Sequence, residues 1–117
     1  MLLVGSACNF PHGIIDDIEL IAKLGLKYDI PVHADCCLGG FLLPFIERTE
    51  FANEIPRVDF QIDGLTSISC DTHKYGYSPK GSSLIIYKSP IFRRFQYSVE
   101  TEWPGGIYAS PTLAGDN

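Results

Sequence analysis

The chain has no run approaching the roughly 18 uninterrupted apolar residues that a membrane-spanning helix needs, and its start carries neither the basic region nor the cleavage site of a secretory signal. It therefore reads as a soluble, unsecreted chain with no anchor of its own. Basic residues are also few. Nine Lys and Arg against 14 Asp and Glu leave a net charge of -5, and the only basic cluster is Arg93-Arg94. Binding nucleic acid takes a surplus of cations clustered on one face, so no nucleic-acid partner is expected and Arg93-Arg94 reads as a solvated surface. The four cysteines, Cys8, Cys36, Cys37 and Cys70, are too irregularly spaced for a disulfide framework, and two of them are adjacent. They read as free thiols in a reducing compartment. They do not read as a zinc site, because neighbours on a strand point to opposite faces and no second cysteine pair follows. Internal repeats and low-complexity runs are also lacking.

What is present is an ordinary globular composition: 117 residues, 45% hydrophobic and 20% charged, enough for one core. The apolar start Met1-Leu2-Leu3-Val4 predicts a strand buried on both faces, followed by a loop from Ser6 to Gly13. Asp16 stands three residues before Glu19, the spacing of a capping box, and predicts a helix from there to Tyr28-Asp29, with Ile18, Ile21, Ala22 and Gly25 on its inner face. Ile30 to Asp35 predicts a second strand ending in Asp35. Gly39-Gly40 opens a helical stretch, Phe41 to Arg48, with Pro44 in its first turn. Residues 49–64 read as a polar excursion. Leu65 to Cys70 and Ser82 to Tyr87 predict two more strands, and Pro90 to Asn117 predicts loop with one helical turn. Strand, helix, strand with short connections implies an α/β domain, a mainly parallel sheet with crossover helices.

Open parallel sheets bind ligands outside the carboxyl ends of their strands, and two predicted strands end in Asp35 and in His73-Lys74. An acid facing a pyridine nitrogen and a lysine whose amine is partly neutral are what a pyridoxal-type electron sink requires. An isolated Asp and Lys are usually surface charges, so the pair alone does not establish that chemistry. His33 reads as a buried histidine satisfied by a backbone partner, His12 as a loop residue, and Gly81-Ser82-Ser83 as a turn ahead of a phosphate cradle.

The wording of whole segments is more specific. His33-Ala34-Asp35-Cys36-Cys37-Leu38-Gly39-Gly40-Phe41 and the stretch from Ser67 through Asp71-Thr72-His73-Lys74-Tyr75-Gly76-Tyr77-Ser78-Pro79-Lys80-Gly81 to Leu84 resemble sphingosine-1-phosphate lyase. That family lies among the fold-type-I pyridoxal-phosphate enzymes, close to the group II amino-acid decarboxylases. Asn9-Phe10-Pro11-His12-Gly13 and Gly105 to Thr112 fit the same family, so the resemblance runs along nearly the whole chain.

The resemblance implies that residues 1–117 are a partial large domain of the fold-type-I fold. It implies pyridoxal 5'-phosphate as cofactor and Lys74 as the lysine that carries it. Asp35 would partner the pyridine nitrogen, His73 would neighbour the cofactor phosphate, and Cys37 would lie under or beside the ring. The implied reaction is a retro-aldol cleavage of a phosphorylated sphingoid base to a long-chain aldehyde and phosphoethanolamine. The base for the substrate hydroxyl stays open among Tyr75, Tyr77, His12 and Lys80. The family also implies a homodimer at the cytosolic face of the endoplasmic reticulum membrane. Cys36 and Cys70 stand where the family pattern calls for alanine. An upstream phosphate-binding loop, a membrane anchor and a C-terminal small domain are expected in the family but not found in this sequence. The chain stops at Asp116-Asn117, after Ala114-Gly115, where the family pattern would continue. Two other readings share these residues: an amino-acid decarboxylase of the same fold, against which Tyr75-Gly76-Tyr77 speaks, and a truncated, non-catalytic product.

Overall fold

A computed structural model describes residues 1–46 and 48–110 of the chain. Glu47, inside the expected helical stretch, lies outside the described residues, as do Pro111, Thr112 and the chain end from Ala114 to Asn117.

Four strands form one sheet in chain order: β1 (Leu3–Ser6), β2 (Val32–Asp35), β3 (Leu65–Cys70) and β4 (Leu84–Tyr87). The first three run parallel and β4 returns antiparallel to β3. Parallel neighbours need a long crossover, and the two here carry α1 (Ile18–Tyr28) and the short α2 (Leu43–Ile46). Pro44 is the second residue of α2, where a missing N–H costs nothing. The mainly parallel α/β sheet with crossover helices is thus the fold observed.

Helix α1 forms where the inner-face spacing puts it, with Ile18, Ala22 and Gly25 buried. Its cap is Asp17 rather than Asp16: Asp17 Oδ1 accepts the Leu20 N–H at 2.9 Å. Asp16 serves elsewhere, its Oδ2 accepting the Ser6 N–H at 2.8 Å and tying the helix start to the end of β1. Asp29 ends the helix at φ 53, a left-handed turn that Asp tolerates better than most residues. Gly25 is needed for close approach, since a Cβ there would lie 2.3 Å from Val32 Cγ2.

The pairing of β2 with β3 is irregular at one place. Val32 is opposite Leu65 and His33 opposite Ser67, so Thr66 is the extra residue of a bulge. Its side chain completes the interrupted ladder: Thr66 Oγ1 accepts the Val32 N–H at 3.0 Å and donates to the Val32 carbonyl at 2.7 Å.

The core contains Ala7, Ile18, Val32, Ala34, Cys36, Val58, Leu65 and Ile68. Residues 49–64 are not simply the polar excursion their composition predicts, because Val58 joins the core and Phe60 and Ile62 pack against it. The first strand also differs from expectation. It spans Leu3–Ser6, lies at the sheet edge, and leaves Val4 55% exposed, because α1 covers only one face. Leu84, Ile85 and Ile86 of β4 are exposed likewise. After β4 come a turn of helix, α3 (Pro90–Arg93), capped by Ser89, and an antiparallel hairpin of β5 (Ser98–Glu100) and β6 (Tyr108–Ser110). The tail is more ordered than loop with one helical turn. The three-residue strands are too short to show alternation in sequence. Among the described residues no helix is long and apolar enough to cross a membrane.

Leu65 is fully buried at the centre of this core, so Leu65→Ala should lower the unfolding free energy by about 2–5 kcal/mol. Urea titration followed by circular dichroism checks this. Leu20→Ala, at a side chain 54% exposed on the outer face of α1, should leave the midpoint nearly unchanged.

Candidate functional site

The parallel strands end side by side. Ser6 is opposite Asp35, and Asp35 is opposite Ser69, so three residues form one row across the carboxyl end of the sheet. Pairing continues past the row. The Ala7 N–H donates to the Asp35 carbonyl at 2.8 Å, the Cys36 N–H to the Ser69 carbonyl at 3.0 Å, and the Asp71 N–H to the Cys37 carbonyl at 3.3 Å. The turn Gly39–Phe41 closes against these ends, and its glycines leave no room for side chains: a Cβ on Gly39 would lie 2.2 Å from the Ala7 carbonyl oxygen, and one on Gly40 2.3 Å from Cys70 Cβ.

Asp35 Oδ1 accepts two hydrogen bonds, from the Cys37 N–H at 3.0 Å and from Ser69 Oγ at 3.1 Å. His33, two residues earlier and so on the same face, places Nδ1 2.8 Å from Ser67 Oγ and Nε2 3.2 Å from Ser69 Oγ. The expected backbone partner is therefore replaced by two hydroxyls, which the bulge at Thr66 brings opposite His33 and Asp35. Burial pushes the His33 imidazole below its usual value, against the pull of Asp35, and favours the neutral ring.

Lys74 sits in a tight loop after β3. Its N–H donates to the Asp71 carbonyl at 3.2 Å, and its own carbonyl accepts the Tyr77 N–H at 3.1 Å. Tyr77 is held at φ 57. The loop is pinned to the approach of β4: His73 donates from its backbone N–H and from Nδ1 to the Ser82 carbonyl, at 3.2 and 2.6 Å, Thr72 Oγ1 bonds Ser82 Oγ, and Ser83 Oγ donates to Asp71 Oδ1 at 2.6 Å. Gly81-Ser82-Ser83 is thus the turn its composition predicts, and it anchors His73.

Asp71 is the residue that sequence reasoning missed. Its Oδ2 lies 2.7 Å from Lys74 Nζ and 3.9 Å from His73 Nε2. The hydrogen bond to Asp71 raises the Lys74 amine above its ordinary value, with Cys37 adding to it and burial opposing. Burial pushes the Asp71 carboxyl up, but hydrogen bonds from Lys74 and Ser83 and the Lys74 and His73 charges outweigh it and hold the group below the usual carboxylate range. The amine that the chemistry wants partly neutral is held as an ammonium here. The available signal was the spacing, since Asp71 stands three residues before Lys74 at a strand end.

Cys37 lies close enough to Asp35 and Lys74 for both to act on its thiol. Burial raises its pKa, and Lys74 works against that. Cys36 lies on the core side, and burial, with smaller contributions from Cys70, Asp35, Cys37 and Cys8, pushes its thiol up to about 12. Asp35, Cys37, His73 and Lys74 are all brought to one end of the sheet. His12, Tyr75, Tyr77 and Lys80 stand exposed. Two concavities lie elsewhere, one against the start of α1 and one beside α2, and neither includes Asp35 or Lys74.

Removing the Asp71 carboxylate takes away the main cause of the raised Lys74 value, so Asp71→Asn should make the amine reactive at lower pH. The pH dependence of Lys74 acylation, read peptide by peptide by mass spectrometry, checks this. A midpoint that does not move downward would show that Asp71 does not control the amine.

No protein-family model matches the chain. It is 56% identical over 115 residues to a sphingosine-1-phosphate lyase of Saccharomyces cerevisiae, covering 98% of this chain and 19% of that protein. It is 55% identical over 114 residues to sphingosine-1-phosphate lyase 1 of Rattus norvegicus, covering 97% and 20%. The chain spans about a fifth of the length of these curated relatives. Among solved structures, the sphingosine-1-phosphate lyase of Burkholderia pseudomallei superposes with a TM-score of 0.84 at 48% identity, over 97% of this chain and 26% of that one. A glutamate decarboxylase of Lactobacillus brevis superposes with a TM-score of 0.69 at 24% identity, over 96% of this chain and 25% of that one, a likeness of fold. Along nearly its whole length, the chain is therefore similar to one stretch of the sphingosine-1-phosphate lyases and has the fold of that stretch.

Proposed function

We propose that this chain is part of the large domain of a pyridoxal 5'-phosphate-dependent carbon–carbon lyase that cleaves phosphorylated sphingoid bases to a long-chain aldehyde and phosphoethanolamine. The observation that carries the reading is the gathering of Asp35, Cys37 and Lys74 at the carboxyl end of the sheet, within a chain more than half identical to sphingosine-1-phosphate lyases.

The residues fit the cofactor. Lys74 offers a primary amine on a loop pinned at both ends, and its side chain is 32% exposed, so an aldehyde can reach it. To react, Nζ must shed one proton and leave Asp71. Asp35 carries a carboxylate whose rotation is set by two hydrogen bonds to Oδ1, a suitable partner for a protonated ring nitrogen. When bound, pyridoxal phosphate supplies the electron sink that takes up the electron pair of the cleaved bond. His73, anchored to Ser82 through Nδ1, would offer Nε2, its remaining ring nitrogen, to the cofactor phosphate. Cys37, close to both Asp35 and Lys74, would line the ring. The reading extends to a homodimeric whole protein at the cytosolic face of the endoplasmic reticulum membrane, acting on a phosphorylated sphingoid base.

Mixing the chain with pyridoxal 5'-phosphate, reducing with borohydride and mapping the modified lysine by mass spectrometry should label Lys74 in preference to Lys23, Lys27, Lys80 and Lys88. Lys74→Ala should abolish the preference. Scattered labelling, or none, would favour the non-catalytic reading.

A further inference from the structure

The polar side chains between β2 and β3 form a chain whose direction follows from donor counting. Ser69 Oγ donates its one proton to Asp35 Oδ1. Toward His33 Nε2, 3.2 Å away, that oxygen is therefore the acceptor, and Nε2 carries the hydrogen. A neutral imidazole has a single N–H, so Nδ1 is an acceptor and takes the hydroxyl proton of Ser67 at 2.8 Å. The bonds run from Ser67 through His33 and Ser69 to Asp35. The neutral ring that this requires agrees with the effect of burial on His33.

These polar groups alternate along the strands with Val32, Ala34 and Ile68 and so line the part-buried face of the sheet opposite the core, where apolar residues of similar shape would serve stability as well or better. The line ends on one oxygen of the acid, the same Oδ1 that accepts the Cys37 N–H. We infer that His33 and Ser69 are positioning residues that fix the rotation of the Asp35 carboxylate from behind through Oδ1, so that Oδ2 meets the cationic ring nitrogen of a bound heteroaromatic cofactor. The assignment of that ligand rests on the proposed function. The hydrogen-bonded line does not.

Two measurements on the full chain separate them. Without cofactor, nitrogen-15 spectra of the His33 ring should show the Nε2–H tautomer, and three-bond couplings at the Asp35 Cβ should show one χ1 rotamer. In Ser69→Ala and His33→Phe the couplings should become averaged, with Ser69→Thr restoring the single rotamer. An Nδ1–H tautomer, or a single Asp35 rotamer in all variants, would overturn the positioning role whatever the ligand is. With pyridoxal 5'-phosphate as probe, Ser69→Ala and His33→Phe should each weaken binding about tenfold, the scale of one lost hydrogen bond, and Ser69→Thr should recover it. Weakening by Asp35→Asn without weakening by the other two also overturns the positioning role. Binding indifferent to Asp35→Asn, with the rotamer result intact, overturns the ligand assignment instead.

Discussion

The parallel pairing of β2 with β3, in the register set by the bulge at Thr66, is the constraint on which the candidate site depends. Side chains alternate between faces, so a one-residue slip would exchange every partner along the two strands. Without the extra residue, Asp35 would stand opposite Ile68 and His33 opposite Thr66. With it, Asp35 meets Ser69 and His33 meets Ser67. The bulge costs ladder hydrogen bonds at Val32, and Thr66 restores them from its own hydroxyl. One side chain thus stabilises the irregularity that aligns four others.

A second balance operates at the end of β3, where burial and charge work against each other. Desolvation raises the thiols of Cys36, Cys37 and Cys70 and opposes ionisation of Asp71. Lys74 reverses the outcome for Asp71 because its amine is within hydrogen-bonding distance and Ser83 adds a further donor. The result is an ion pair in a loop held to β4 through Ser82 and Ser83. The lysine is placed by its neighbours in the loop, while the acid is placed by the adjacent strand.

The sheet that carries this site is covered unevenly. Helix α1 and residues 58–62 build the core on one face, with Leu65, Val32 and Cys36 fully buried. On the strands at its two edges, Val4 and Leu84 to Ile86 remain exposed. Strand burial therefore declines from the centre of the sheet outward, and the candidate site sits at the ends of the two central strands, β2 and β3.

Several elements could be read from the residues in order. Strand β3 matches its predicted bounds because small and β-branched residues are bracketed by turn-forming ones. Helix α1 ends where expected because the Ile18, Ala22 and Gly25 spacing and the break at Asp29 are local properties. The candidate residues Asp35, Cys37, His73 and Lys74 were likewise visible, because strand ends followed by acids and amines are local patterns and the motif wording is specific. Other features depended on residues distant in sequence. Asp16 loses the cap to Asp17 because Ser6 claims its carboxylate, and Val58, Phe60 and Ile62 turn inward because the core is short of cover. The edge exposure of β1 reflects which neighbour it lacks. The hydroxyls facing His33, the pairing of Asp71 with Lys74 and the nearness of Cys37 to both Asp35 and Lys74 were decided only when the strands came into register, because a hydrogen bond reaches about 3 Å and sequence separation says nothing about that distance.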